Sequence, residues 1–404
     1  MSTGSAAPGA AVGSAAERRL GLRLVLLLGG LATVSPFATD MYLPALPEIA
    51  DELGVGQSTV QATLTAYLVP LALGQLLAGS VADARGRRPV VVVGSLLLVQ
   101  GSVVCATAPG VAVLCAGRVL QGLGGAAAMV AGRAMVADLL EGRRAARAFI
   151  AIGTVAALGP VLAPTLGAWL AGLAGWRSIF WAIAATQVVL TAMALSAAET
   201  LPVADREPGA LRRLGPRIRT LAGLPAYRWQ VLVSVSSFTG LFAYISAAPF
   251  VADEIGLSTR DFTTLFAVNG LGMLAFSALS SAVVVRLGRR RLIATGLWTT
   301  LAGAGCLAIA ACGTGEVPLV LAGFFLVCCA KGSVGGASLS LAASASPDAP
   351  AVALAAVGSV QFLAAGAAAV ATGVSPGHSL VPVTVTIAAA GLLALAAHRR
   401  AARP

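Results

Sequence analysis

Apolar stretches roughly 20 residues long recur along nearly the whole of this chain, and no other feature restricts its fold so severely. At 1.5 Å of rise per residue, a helix of that length matches the roughly 30 Å of hydrocarbon in a bilayer. Twelve such stretches can be drawn, at about 22–43, 59–81, 90–108, 112–137, 146–171, 177–197, 229–252, 262–285, 292–312, 317–342, 351–373 and 380–397. With 58% hydrophobic and 11% charged residues over 404 positions, the chain carries more apolar surface than a water-soluble core could hide. A helix satisfies its own backbone in lipid, and the period-2 alternation of a barrel strand is absent. The expected class is an all-α integral membrane protein with twelve transmembrane helices.

Charge placement orients those helices. Of 27 Lys and Arg, 22 fall at the N-terminus, in the even-numbered connections or at the C-terminus. The opposite loops hold Arg177 and Arg260 among Glu48, Asp51, Glu52, Asp253, Glu254, Asp261 and Glu316. By the positive-inside rule both termini are cytoplasmic, so the net charge of +11 reflects topology and not nucleic-acid binding. Residues 1–21 read as a disordered cytoplasmic N-terminus and 398–404 as a cytoplasmic tail. "ERRLGLR" before an apolar run could pass for a secretory signal, but the motifs below need that first stretch as a span. Six cysteines (105, 115, 306, 312, 328 and 329) lie in spans without metal-type spacing and read as packing residues.

The polar connection 198–228 divides the spans into halves, 22–197 and 229–397. Gly86-Arg87-Arg88 follows the second span, and Gly288-Arg289-Arg290 follows the second span of the other half, 202 residues later. An internal duplication accounts for this. Two pseudo-symmetric six-helix bundles are the architecture in which a site at the bilayer midplane is exposed alternately to either side.

Several stretches carry a resemblance. "ATDMYLPALP" (38–47), "ALGQLLAGSVADARGRRPV" (72–90), "GRVLQGLGGAAA" (117–128), "ALGPVLAPTLGAWL" (157–170), "YISAAPFV" (244–251) and "TTLFAVNGLG" (263–272) occur in this order. Together they resemble the major facilitator superfamily, specifically drug:proton antiporters of the bicyclomycin-resistance (Bcr/CflA) type, over about 22–397. The chain departs from that pattern at Ala84, where a basic residue is usual, at Val285, where Asp83 would map in the second copy, and at Lys331. The resemblance implies the major facilitator fold and proton-driven efflux of small drug-like molecules from a bacterial-type inner membrane. It also implies no cofactor beyond the proton gradient and function as a monomer, with protons, substrate and the lipid bilayer as partners. Export or import of a small metabolite is the nearer alternative, and a non-transporting receptor the more distant one.

Individual residues take roles on this reading. Asp40 stands at the far end of an apolar stretch, where a charged carboxylate costs about 2.5–3.5 kcal/mol on insertion scales. A carboxyl withdrawn from water holds a proton more readily than one in solvent, so Asp40 is the expected proton carrier. The alternative is that it marks the outer interface, about 24 Å beyond Arg23. Arg118 is the expected partner of Asp40, with proton coupling carried over from the resemblance, or else an interfacial arginine. The inner-loop group Gly79, Asp83, Arg85, Gly86, Arg87, Arg88, Arg133 and Asp138 is expected to form a charge cluster that latches the halves, or only to anchor topology. Gly153, Gly159, Pro160, Pro164 and Gly167 would bend and tighten the fifth span against proton leak, or serve ordinary packing. Tyr67, Gln121, Phe238, Tyr244, Phe266, Asn269 and Gln361 are candidate cavity groups for promiscuous binding. Lys331, the only lysine, reads as an anion site, a second proton carrier, a partner for Asp40 or a snorkelling substitution.

Enzyme chemistry has no foothold. No P-loop, HExxH, Ser/His or Cys/His arrangement is present, no metal site is expected, and His378 and His398 lie near span ends, away from any membrane relay.

Overall fold

The computed structural model describes residues 27–31, 34, 37–139, 159, 162–314, 316–345, 350–373 and 380–401. The first helical segment covers 27–31, 34 and 37–40 of the first apolar stretch. After a 3-10 turn, Leu43–Ala45, come α1 (Leu46–Leu53), α2 (Gln57–Arg85), α3 (Arg87–Ala106) and α4 (Val111–Leu139). The apolar helix α5 (Leu162–Ala174) precedes α6 (Arg177–Ser196) and the linker helix α7 (Ala210–Gly223). The second half holds α8 (Pro225–Glu254), α9 (Thr259–Leu287), α10 (Arg289–Ile309), α11 (Val317–Ser344), α12 (Pro350–Thr372) and α13 (Leu380–Ala401). Among the described residues, ten helices are long and apolar enough to cross a membrane. The remaining two expected spans, 22–43 and 146–171, fall partly outside the described residues, as do Gly153 and Pro160.

Lipid gives helices little hydrophobic reason to associate, so close backbone contact must supply it. Glycine provides that contact between α3 and α4: a Cβ on Gly101 would lie 2.6 Å from the carbonyl oxygen of Gly117. Between α10 and α11 the pattern returns, with a Cβ on Gly303 falling 2.8 Å from the carbonyl oxygen of Gly323. Gly101 and Gly303 are 202 residues apart, the offset already seen in the loop motif.

The halves meet along α2 and α12, where Thr65 Oγ1 donates to the Gly366 carbonyl at 2.7 Å. Near the acidic loops Gln61 Nε2 donates to the Ser246 carbonyl of α8 at 2.9 Å, and Ser246 pairs with Thr372 of α12. Residues 43–53 press on α8, burying Leu43, Leu46 and Ile49 completely. The halves are therefore closed against each other at the acidic face. At the basic face the end of α9 is largely exposed, Val285 being 91% accessible.

A tie within the first half lies at the rim of the acidic face. Glu52 accepts from the Arg177 guanidinium and from Trp176 Nε1 at 2.7 Å, while Arg177 Nη2 reaches the Ala108 carbonyl at 3.0 Å. The Arg177 and Trp176 hydrogen bonds hold the Glu52 carboxyl below its ordinary range.

Candidate functional site: a charged half facing an aromatic half

Arg118 is completely buried one-quarter of the way along α4. Its Nη1 donates to the Ala38 carbonyl at 2.8 Å and to Gln121 Oε1 at 2.9 Å, and Gln121 Nε2 passes the chain to Ser102 at 2.8 Å. The guanidinium lies between two rings, 4.9 Å from the centroid of Tyr42 and 4.3 Å from that of Tyr67. Its Nε and Nη2 have no hydrogen-bond partner among the described residues. Hydrogen bonds from a charged donor contribute about 1.5–3 kcal/mol each and cation–π contacts about 0.5–2, enough to offset a membrane-centre cost of about 2.5–3.5 kcal/mol.

Asp40 sits two residues beyond the gripped Ala38 carbonyl and is only 7% exposed. The expected Asp40–Arg118 ion pair is not formed: among the described residues no ion pair reaches either side chain. Arg118 spends Nη1 on a backbone carbonyl and an amide, and so holds the turn carrying Asp40 without neutralising it. Gly167 of α5 approaches the Met41 carbonyl so closely that a Cβ would collide with it.

Across the interface, Tyr244 is 2% exposed and near enough to Asp40 for charge on one to act on the other. Asn269 Nδ2 donates to its hydroxyl at 2.9 Å, Phe266 stacks on it at 5.3 Å and Phe324 leans on it at 4.7 Å. Tyr42 and Tyr244 are again 202 apart, as are Asp40 and Phe242. Matching the Gly117 contact to the Gly323 contact sets Arg118 against Phe324. Tyr42, Phe242 and Phe324 were not among the sequence candidates; extending the 202-residue offset beyond the loop motif would have found the first two.

Closer to the basic face, Lys331 Nζ lies 4.9 Å from the Phe238 ring centroid, and Phe238 packs with Phe242 and Phe362. One cation–π contact of about 0.5–2 kcal/mol falls short of the roughly 2.5–3.5 that a mid-membrane ammonium costs. No ion pair joins Lys331 to Asp40 or to any other described carboxylate. Gln361 Nε2 donates to Ser234 Oγ at 2.8 Å, and Ser338 Oγ does so at 3.2 Å. The cavity candidates thus separate into Tyr67 and Gln121 around Arg118, Phe266 and Asn269 around Tyr244, Phe238 beside Lys331, and Gln361 on Ser234. A crevice of about 450 Å³ opens at the acidic face among Pro44, Glu48, Gly172, Pro249, Asp253 and Phe262.

The inner-loop cluster forms within the first half. Arg87 bridges Asp83 at 2.5 Å and Asp138 at 3.1 Å, and Arg88 Nη2 reaches the Leu195 carbonyl at 2.5 Å. Arg85 is exposed and Arg133 joins no ion pair among the described residues. No described ion pair crosses between halves, so the expected latch is not engaged in this conformation, where the acidic face is the closed one. Gly79 leaves ordinary room for a Cβ, 3.6 Å from Val130, and is not the close contact its motif suggests. Gly86 is different: φ is +105°, and Glu199 occupies the space a Cβ would need. Glu199, which sequence reading passed over, caps α3 by accepting the backbone N–H of Arg87 at 2.8 Å. Partial burial pushes its carboxyl up, but N–H donors from Leu201, Arg87, Arg88 and Thr200 outweigh this and hold it below its ordinary range.

An all-helical chain with ten membrane-length helices among its described residues, packed in two halves beside a buried carboxylate, defines a polytopic membrane protein. The major facilitator superfamily profile matches residues 28–369, and the chain belongs to that superfamily, whose members are transporters and not enzymes. An uncharacterized MFS-type transporter, YdgK, of Bacillus subtilis (strain 168) is 37% identical over 263 residues, covering 63% of this chain and 65% of that protein. A chloramphenicol resistance protein of Pseudomonas aeruginosa is 31% identical over 70% of this chain and 68% of its own length. Multidrug resistance protein MdtL of Salmonella heidelberg (strain SL476) is 27% identical over 69% of this chain and 71% of its own length. A D-xylose–proton symporter structure superposes with a TM-score of 0.73 at 18% identity, covering 93% of this chain and 97% of that one, which shows the shared fold.

Proposed function

We propose that this chain is a proton-driven exporter of small drug-like molecules, a drug:proton antiporter of the bicyclomycin-resistance type. It has twelve spans, the ten described plus 22–43 and 146–171, and lies as a monomer in a bacterial-type inner membrane with its basic face toward the cytoplasm. The single observation that carries this reading is Asp40: a buried carboxyl without an ion-pair partner among the described residues, at the level where the halves close. Resistance-named relatives at 27–31% identity support a drug-like cargo.

The chain's own groups suggest how coupling works. A proton arriving on Asp40 removes one charge from the turn that Arg118 holds through the Ala38 carbonyl. Closure at the acidic face brings Tyr244 and its aromatic neighbours against that turn, so the proton state of Asp40 biases the closed arrangement. Cargo entering from the basic face and a proton entering from the acidic face then favour opposite arrangements, and exchange follows.

Everted vesicles energised by respiration and given chloramphenicol as probe test this. Substrate-dependent dissipation of ΔpH is expected with the wild type and absent with Asp40→Asn. Equal dissipation by both overturns the role of Asp40, and the opposite coupling sign makes the protein a symporter.

A further inference from the structure

Lys331 is the fifteenth residue of the 28-residue helix α11, so its ammonium is anchored near mid-membrane. It lies on the stripe Phe324, Cys328, Lys331, Gly335 and Ser338, spaced at three and four residues and therefore on one helix face. Both ends of the stripe touch α8: Phe324 packs on Tyr244 and Ser338 bonds Ser234. The face thus looks inward, onto the most enclosed of the spanning helices. Gly335 lies one turn along, with ordinary room for a Cβ 3.6 Å from Lys331 Cε.

What surrounds the ammonium is incomplete for a resting cation. Its one described neighbour of suitable chemistry is the Phe238 ring, within a three-ring group with Phe242 and Phe362. Toward the basic face stand the Ser234, Ser338 and Gln361 side chains, bonded to one another. No carboxylate among the described residues pairs with it, and the first half has no lysine at the matching place: the Gly117–Gly323 register sets Gly125 there. An isolated mid-membrane cation beside an aromatic cluster, with polar groups on one side, has the composition of a site for an anion attached to an apolar ring.

We propose that Lys331 forms a carboxylate subsite and that the preferred cargo is an aromatic monocarboxylate, its ring against Phe238 and Phe362 and its carboxylate on Nζ. The direction of movement rests on the export reading above; the ligand chemistry does not. Binding is noncovalent and changes no bond.

The full-length protein, purified in detergent, is offered phenylacetate, methyl phenylacetate and phenethylamine, which share one ring and differ in charge. The wild type is expected to bind phenylacetate about tenfold more tightly than the ester or the amine. Lys331→Met is expected to erase that ranking and Lys331→Arg to keep it. A wild type that fails to prefer the carboxylate, or a Lys331→Met protein that retains the preference, overturns the subsite. Should Lys331→Met not fold, Lys331→Gln and the wild-type ranking decide. In vesicles, a carboxylate preference without ΔpH-driven flux supports the subsite and sinks the export reading; ΔpH-driven flux without the preference does the reverse.

Discussion

The two halves share a skeleton and differ in chemistry. Tyr42 and Tyr244, Gly86 and Gly288, and Gly101 and Gly303 all keep the 202-residue offset, and in each half the glycine lets neighbouring helix backbones touch. At the centre the correspondence breaks: Asp40 corresponds to Phe242 and Arg118 to Phe324 by the repeat offsets. The first half keeps a carboxyl and a clamped guanidinium where the second keeps rings. Helix packing in lipid needs small residues at fixed spacing and tolerates no drift, whereas a lining position answers only to what passes it. The division suggests that one half handles the proton and the other the cargo.

The sharpest way to break this comparison is to exchange effects across the offset. Asp40→Asn is expected to abolish ΔpH-driven flux, while Phe242→Leu keeps it coupled and costs under about 1.5 kcal/mol in stability, read from transport and thermal unfolding. Loss of coupling in both would mean that the charge is not confined to one half. Next in size, Arg118→Lys retains the cation but loses the Nη1 bonds to Ala38 and Gln121, and should destabilise the folded protein by about 1.5–3 kcal/mol. Phe324→Leu, its counterpart, should cost less than half as much in the same denaturation assay.

The shared skeleton predicts equal effects. Gly101→Ala and Gly303→Ala each push a methyl into facing backbone, and each should cost about 1–3 kcal/mol or lower the yield of monodisperse protein alike. If one is tolerated, the two packings are not equivalent. The smallest effect concerns the rim. Glu52→Gln should destabilise by less than about 1 kcal/mol, because the pair with Arg177 is half exposed. The Glu52 carboxyl is held below its ordinary value, so its contribution is present above the unfolded pKa of about 4.3 and disappears as pH falls through the lower folded value. Unfolding curves of wild type and variant should therefore converge in acid.

Much of this was open to reading along the chain. Ten of the twelve expected spans appear as membrane-length helices because apolar run length acts locally, and Arg87 pairs with Asp83 and Asp138 as the resemblance implies. The site was legible in its parts but not in its pairings. Asp40 and Arg118 invite an ion pair on charge alone, yet the guanidinium turned to the Ala38 carbonyl and to Tyr42 and Tyr67. Glu199 carries no sequence signal of its role, because only the return of the chain sets it on the N-terminus of α3.

The sequence by itself determined that this chain is helical and crosses a membrane many times, because hydrocarbon thickness acts on local runs of residues. Only the tertiary structure decided which buried groups meet: that Arg118 grips the backbone beside Asp40, that Tyr244 arrives opposite it, and that Lys331 is left with a ring and no carboxylate. Those meetings depend on helices distant in the chain coming within a few ångströms, and hydrogen bonds and cation–π contacts act over no longer range.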